Sequence, residues 1–485
     1  MNSNSILKSS FFTICTRWLD RLIGLISTVI LARILTPDDY GVVAIAMLSV
    51  NLANVFLNFG VQSVLVQIKD VYQDHYNTAW TIRIIQTFVV TCSLLIVTPY
   101  ISSFFNDSRS LDVLYIVSFL PLIQGFENIG VVSFQKNMNF NKEFIFLTSQ
   151  RIIGLFLTIS YALILKSYWA LVVGTLSSAI VRVALSYFFH PMRPKLSLKK
   201  FTDIFRISQW MLLKNIAEYF EQNLQNIFVK RWSPSSDLGA YSLSRNIAEM
   251  PTSELLAPFN RALFPAFSKV QNNPYELKKM FLLAQGLQSL IAIPAAVGLA
   301  LVSEEIVLLA LGSKWDIAIP FLQILPMISL FHSITASSSW VMTVLGYIRL
   351  NVFISFLKVF TFLVIVILFF QDCDAIIIAY VQIFTSLFGV LCTFFCIIYI
   401  FPILKCSDIL SNTARSLIGS GVMFAVIMHF QPYFTYSLFI NFILKVFFGL
   451  IVYVTIVLSL WYLCKCPLGA ESYIIKIIFN RTIAK

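Results

Sequence analysis

Arg17 and Arg21 stand four residues apart in an apolar run, one turn of a helix. Two guanidinium forks on one face can grip a phosphate or pyrophosphate bidentately. Asp20 lies between them in sequence, and plain pairing with one of them is the competing use of those charges. Farther on, Lys214, Glu218, Glu221 and Gln225 are spaced four, three and four, so they share a helical face that Asn215, Gln222, Asn223 and Asn226 widen. Lys214 and Arg83 join Arg17 and Arg21 as candidate anion contacts, although Glu218, one turn from Lys214, offers it a structural partner. Trp210 and Tyr219 add flat surfaces of the kind that stack on sugar rings. Asn51, Asn54 and Asn58 make a second polar stripe, and with Asn223 and Asn226 they suit a ligand rich in hydroxyls, because amides both donate and accept. The acids Asp20, Glu218, Glu221, Glu249 and Glu254 fit either proton or cation coupling or simple charge pairing.

These residues lie where lipid is expected. Of 485 residues, 58% are hydrophobic and 12% charged, with a mean hydropathy of +0.82, whereas soluble domains carry about 25% charge. Only helices or closed barrels satisfy backbone polar groups in lipid. Taking about 20 apolar residues per span, the sequence predicts an all-α membrane protein of about fourteen transmembrane helices. They fall near 11–35, 41–67, 76–101, 112–136, 143–165, 168–189, 206–230, 238–267, 279–302, 317–345, 348–370, 374–401, 412–430 and 434–463. The first reads as an uncleaved helix. A charge at the bilayer centre costs roughly 2.5–3.5 kcal/mol. Lipid exposure of all the intramembrane charges, Arg151, Arg182, Glu127, Arg245 and Arg261 among them, would cost on the order of 40 kcal/mol by that scale. They must face protein or water, and their concentration in the first, seventh and eighth spans predicts a wet cavity there.

The organisation is that of a repeat. Arg33, Pro37 and Gly41 at the exit of the first span recur as Arg231, Pro234 and Gly239, with Arg and Gly keeping one offset, which also carries Asp20 onto Glu218 and Asn51 onto Glu249. Two pseudo-symmetric six-helix bundles follow, 1–190 and 206–401, joined by a linker at 191–205 and trailed by two extra helices and a tail at 402–485. Such repeats are a transporter plan with the substrate site at the interface of the halves. With the N-terminus inside, about eighteen Lys and Arg fall in inner segments against five outside, Arg109, Lys166, Lys230, Arg231 and Lys314, which puts both termini in the cytoplasm. Pro251, Pro258 and Pro265, each seven apart, predict a bent eighth helix. His332, His429, Lys358 and Lys445 stand alone and receive no role. The residues from Glu471 read as a surface-lying helix or a plain tail.

Several classes are excluded. The net charge of +12 is spread over loops, so no clustered nucleic-acid surface exists. No GxxxxGK[ST], HExxH or Gly-rich phosphate loop is present, and the eight Cys form no CxxC pair. No catalytic function, metal or cofactor is expected, and coupling to nucleotide hydrolysis would need another chain.

The run Ile30-Leu31-Ala32-Arg33-Ile34-Leu35-Thr36-Pro37-Asp38-Asp39-Tyr40-Gly41, followed by Asn58-Phe59-Gly60-Val61, resembles the opening of Wzx-type oligosaccharide flippases. These form the polysaccharide transporter family of the multidrug and toxin extrusion/polysaccharide exporter superfamily, and the likeness is to its colanic-acid and teichuronic-acid exporter branch. The resemblance implies bundles that rock between inward- and outward-open states in a bacterial inner membrane. It implies a polyprenyl-pyrophosphate-linked oligosaccharide, flipped from the cytoplasmic to the periplasmic leaflet for O antigen, exopolysaccharide or capsule. Membrane lipid is a further partner, with a polysaccharide polymerase and chain-length machinery as candidates. On that reading Arg17, Arg21, Arg83 and Lys214 would meet the pyrophosphate and the Asn-rich faces the glycan. Two alternatives stand beside it. A drug/cation antiporter of the same fold would want an acidic, aromatic pocket with few cations. A membrane-embedded polymerase would want a longer outer loop.

Overall fold

In the computed structural model the described residues are 3–57, 65, 72–136, 139–370, 373–433, 436–467 and 469–483. Side chains are described from residue 18 on, except at 56–57, 140, 202–215, 217–218, 253, 257–258, 261–262 and 477–483. The described chain is helical, without strands. It runs through α1 (Ser3–Ile34), α2 (Pro37–Leu57), α3 (Gln73–Phe105), α4 (Arg109–Val117), α5 (Leu120–Gly125), α6 (Val132–Lys136), α7 (Phe140–Leu165), α8 (Trp169–Phe189) and α9 (Phe201–Trp232). Then come α10 (Ser235–Val270), α11 (Pro274–Leu301), α12 (Ser303–Ile306), α13 (Ile319–Ile324), α14 (Pro326–Val344), α15 (Ile348–Phe369), α16 (Ala375–Ile400), α17 (Cys406–Phe430), α18 (Leu438–Leu463) and α19 (Ala470–Ile483).

Among the described residues nine helices are long and apolar enough to cross a membrane, ten if a bent pair counts as one span. That pair is Arg109–Gly125 with Ile129–Lys136, bent by 61°. α1, α2, α9 and α10, each containing residues whose side chains lie outside the described set, stand where the remaining expected spans fall. The helix starts are written locally. Asp39 Oδ2 accepts from the Thr36 amide at 2.9 Å and Thr36 Oγ1 from the Asp39 amide at 3.3 Å, with Pro37 opening α2. This reciprocal cap is the physical content of the Thr-Pro-Asp-Asp breaker. Asn273 caps α11 in the same spirit, its side chain accepting from Tyr275 and Glu276 amides ahead of Pro274.

The chain divides into two compact units, Met1–Gly239 and Ala240–Lys485. In the first, α7 and α8 pair through small residues. Gly154 lies against Ser178 and Gly174 against Thr158, while Thr158 Oγ1 and Ser178 Oγ bond back to the Gly154 and Gly174 carbonyls at 2.8 and 2.7 Å. Close backbone approach of this kind is how helices associate in lipid. Val42, Ala46, Val50, Val113, Val117 and Val172 form a core joining α2, α4 and α8.

In the second unit α11 is about half buried. Gln288 donates to Asn260 Oδ1 at 2.8 Å and accepts from Ser337 Oγ at 2.6 Å. The C-terminal residues are a helix docked on this unit. Arg415 makes a bidentate pair with Glu471, at 2.6 and 3.0 Å, and Ala470 lies by Gly286. Lys445, given no role from sequence, is buried and paired with the buried Glu305 of α12. The roleless reading is corrected: an ammonium among apolar neighbours needs a counter-charge, and Glu305 is 140 positions away in sequence.

Candidate functional site

The predicted residues fall into three groups. Asn58 lies outside the described residues, as do the side chains of Arg17, Trp210, Lys214 and Glu218. Others are spoken for locally. Asp20 pairs with Arg151 of α7, whose Nη2 also donates to Asp20 Oδ2 at 3.3 Å. Glu249 pairs with Arg245 one turn away at 2.9 Å. The Glu221 carbonyl accepts from Gln225, and Asn223 donates to the Tyr219 carbonyl at 3.0 Å. Tyr219 is buried, with its hydroxyl on the Leu48 carbonyl at 2.8 Å. Burial moves a candidate sugar platform into helix packing, where a tyrosine hydroxyl must find an acceptor. Asn51 is exposed, while Asn54, Arg21 and Glu254 are half-buried. Asn226 is buried, and its carbonyl oxygen has no hydrogen-bond partner among the described residues.

The third group is Arg83, which meets two charges outside the predicted site at the break in the bent span. Glu127 sits between α5 and a short 3-10 turn at Ile129–Val131, 1% exposed. Its Oε2 accepts from Arg83 Nη2 of α3 and its Oε1 from Arg182 Nε of α8, both at 2.9 Å. One carboxylate between two guanidiniums leaves one positive charge in excess. Arg83 Nη1 is buried without a hydrogen-bond partner among the described residues. The break is stitched by its neighbour. The Asn128 amide donates to Ser186 Oγ at 2.9 Å, its side chain donates to the His190 and Met192 carbonyls, and its Oδ1 accepts from Gly130. Backbone groups freed inside a membrane must be satisfied by such partners.

From His190 the linker is pinned to α3. Asn77 Oδ1 accepts from the Lys195 amide at 3.0 Å, Thr81 Oγ1 from Ser197 at 2.9 Å and Thr78 Oγ1 from Lys200 at 3.2 Å. His190 begins the strap. Its Nδ1 accepts from the Met192 amide at 3.2 Å, so the proton sits on Nε2 and faces Ser133 Oγ at 3.1 Å. Burial, then the charges of Lys142 and Arg193, hold this imidazole below the ordinary histidine range.

At the other end of the same unit, three turns meet. Arg109 binds Asp38 and Asp107, and Asp107 Oδ2 also accepts from Ser235 Oγ at 2.6 Å and lies 4.0 Å from Lys230 Nζ. Burial pushes the Asp107 carboxyl up. The hydrogen bonds from Arg109 and Ser235, with the Arg109 and Lys230 charges, outweigh it and hold the group below the usual range. Beneath this cluster Gly41 and Gly239 meet. A Cβ on Gly41 would collide with the Ser235 carbonyl, and one on Gly239 with the Pro37 carbonyl. The two contacts are reciprocal under the offset that aligns Gly41 with Gly239, since it also aligns Pro37 with Ser235.

Residues 30–320, more than half of the chain, match the family described as polysaccharide biosynthesis protein. The chain belongs to that family. It is 28% identical over 326 residues to the lipopolysaccharide biosynthesis protein WzxC of Escherichia coli (strain K12), covering 64% of each chain. It is 24% identical over 298 residues to the succinoglycan biosynthesis transport protein ExoT of Rhizobium meliloti (strain 1021), covering 61% of this chain and 60% of that one. The chain thus spans a little under two thirds of the length of these two relatives. Among solved structures it is similar to the lipid II flippase MurJ in an inward closed conformation, with a TM-score of 0.75, 16% identity, and coverage of 93% of this chain and 99% of that one. An inward-facing multidrug resistance MATE family transporter of the MOP superfamily gives a TM-score of 0.60 at 13% identity, over 78% of this chain and 94% of that one. At such identities the likeness is one of fold, and the fold is that of MATE-like transporters.

Sequence reasoning about this polysaccharide biosynthesis protein counted Glu127 and Arg182 as intramembrane charges but left both out of the site. The available signal was the break itself. Gly125 packs against Thr87 so tightly that a Cβ would strike it, and Glu127-Asn128 follows at once. A charge and a capping amide beside a glycine inside an apolar run mark an interrupted span. Asn77, Thr78 and Thr81 were missed because acceptors for a distant linker carry no local pattern.

Proposed function

We propose that this chain flips polyprenyl-pyrophosphate-linked oligosaccharide units across the bacterial inner membrane by alternating access, supplying a surface polysaccharide. The carrying observation is the family match over residues 30–320 on a fold shared with a lipid II flippase. The names of WzxC and ExoT, which speak of lipopolysaccharide biosynthesis and succinoglycan transport, support the substrate class. On this reading Arg17, Arg21, Arg83 and Lys214 serve the pyrophosphate. Asn51, Asn54, Asn58, Trp210, Asn223 and Asn226 serve the glycan, with Tyr219 supporting from the packing behind them. Asp20, Glu218, Glu221, Glu249 and Glu254 balance charge or couple an ion. Both termini lie in the cytoplasm, where the basic loops concentrate, and a polymerase with chain-length machinery takes the product. The excess cation at Arg83–Glu127–Arg182 favours an anionic substrate over a cationic drug.

The test is deletion of the gene in its host, with Arg17→Ala/Arg21→Ala and Glu218→Gln as rescue alleles. Loss of surface polymer with accumulation of the lipid-linked unit on the cytoplasmic leaflet is expected, and failed rescue would locate the site. Unchanged polymer with raised sensitivity to cationic drugs would replace this reading with antiport.

A further inference from the structure

A groove of about 550 Å³ runs between α2, α3 and α9. Its walls include Leu52 of α2, Val89, Val97 and Phe104 of α3, and Ile227 of α9. The volume is that of a small-molecule site, but the chemistry is not that of a sugar site. The lining holds three hydroxyl groups, and each is spent within the fold: Ser49 Oγ on the Ile45 carbonyl at 3.1 Å, Ser93 Oγ on the Val89 carbonyl at 2.8 Å, and Tyr219 on Leu48 at 2.8 Å. What remains is aliphatic and aromatic surface, with Val89, Val97 and Phe104 exposed along its open side.

One end carries a charge. Arg231 is exposed and its guanidinium lies over the Phe104 ring, 5.5 Å from the centroid. Nearby, Asp38 and Asp107 are engaged by Arg109 and Lys230. Arg231 has no carboxylate partner among the described residues. The groove therefore presents an apolar slot closed at one end by an available cation.

We propose that this groove is a site for an anionic glycerophospholipid of the surrounding bilayer, with one acyl chain in the slot and the phosphate against Arg231. Charge favours this occupant, since the unspent cation at the end of the groove matches an anionic headgroup. From Val89 to Phe104 the helix rises about 22 Å at 1.5 Å per residue, so the groove fits within a hydrocarbon core about 30 Å thick, where acyl chains lie.

The experiment is native mass spectrometry of the full chain released from nanodiscs of phosphatidylglycerol or of phosphatidylcholine. The wild type is expected to retain phosphatidylglycerol about fivefold better than phosphatidylcholine, the preference one cation near an anionic headgroup supplies. Ser93→Trp fills the slot and is expected to abolish retention of both lipids. Arg231→Gln is expected to equalise them, and because Arg231 is exposed this arm reads out even where Ser93→Trp does not fold. Equal retention of the two lipids by the wild type would overturn the proposal. So would a folded Ser93→Trp protein that still retains phosphatidylglycerol, or displacement of phosphatidylglycerol by a polyprenyl phosphate added at equal concentration.

Discussion

Each unit of this molecule buries a carboxylate among apolar helices, and the two solve the problem differently. Glu127 in the first unit is held by two arginines, Arg83 and Arg182, at a break in a span. Glu305 in the second is held by one lysine, Lys445, beside a π-helical turn at Val307–Leu311. The first cluster keeps an excess cation and an unpartnered Arg83 Nη1; the second is neutral and leaves Glu305 Oε2 unpartnered. The leftover group decides what each cluster can do. A guanidinium cannot shed its proton, whereas a carboxyl or an amine can change charge. The first cluster is a permanent positive charge in the membrane, suited to an anion. The second is a neutral brace.

The largest effect tests that difference directly. Lys445→Met strands the Glu305 carboxylate where both partners are buried, and breaking such a pair costs about 3–5 kcal/mol. A fall in the melting temperature of the purified protein measures it. Glu127→Gln leaves two guanidiniums without an acid, but the Arg182 side chain is more than a third exposed, so screening by water should hold its loss to about 1–3 kcal/mol. Equal losses would erase the distinction between the clusters. The double replacement Glu305→Gln/Lys445→Met sharpens it further. Exchanging both members of a buried pair often costs about 1 kcal/mol or less, while Glu127→Gln/Arg83→Met still leaves Arg182 alone.

The stitching of the break comes next. Asn128→Ala removes the side chain that serves the His190 and Met192 carbonyls and the Gly130 amide. Stranding buried backbone groups costs about 1–3 kcal/mol each when water cannot reach them. The expected outcome is faster hydrogen exchange at Ile129–Val131 and in the linker, with the Glu305 region unchanged. Uniform destabilisation across both units would show that the break is not a local joint.

The membrane class and the long helices were legible because they rest on local rules. Apolar run length marks spans, and Thr36-Pro37-Asp38-Asp39 writes its own cap. The pairs were not legible. Asp20 was read beside Arg17 and Arg21 and is bound by Arg151, 131 positions on. Helical periodicity says which residues share a face but not which helix the face meets. The groove was equally hidden, since Leu52, Val89 and Ile227 look like any other lipid-facing residues until α2, α3 and α9 are placed together.

The smallest expected effect concerns access of pH to the first cluster. His190 ends α8 next to Ser186, which binds the Asn128 amide, and starts the linker strap. Its neutral form is required there, because Nδ1 accepts from the Met192 amide. Burial and the Lys142 and Arg193 charges keep its proton affinity low in the folded protein. A histidine with a depressed folded pKa contributes stability above its unfolded value, about 6.5, and loses it as pH falls through the folded one. With the ring partly exposed, screening limits this to about a few tenths of a kcal/mol. Exchange at the Lys195, Ser197 and Lys200 amides, corrected for intrinsic rates, should therefore quicken below neutrality. The Lys445–Glu305 brace should give no matching change in α18. His190→Gln keeps a polar group and removes the titration, so its strap should exchange at one corrected rate across the range. A strap indifferent to pH in the wild type would mean that the imidazole is not what fastens the linker, and that the first unit is as closed to protons as the second.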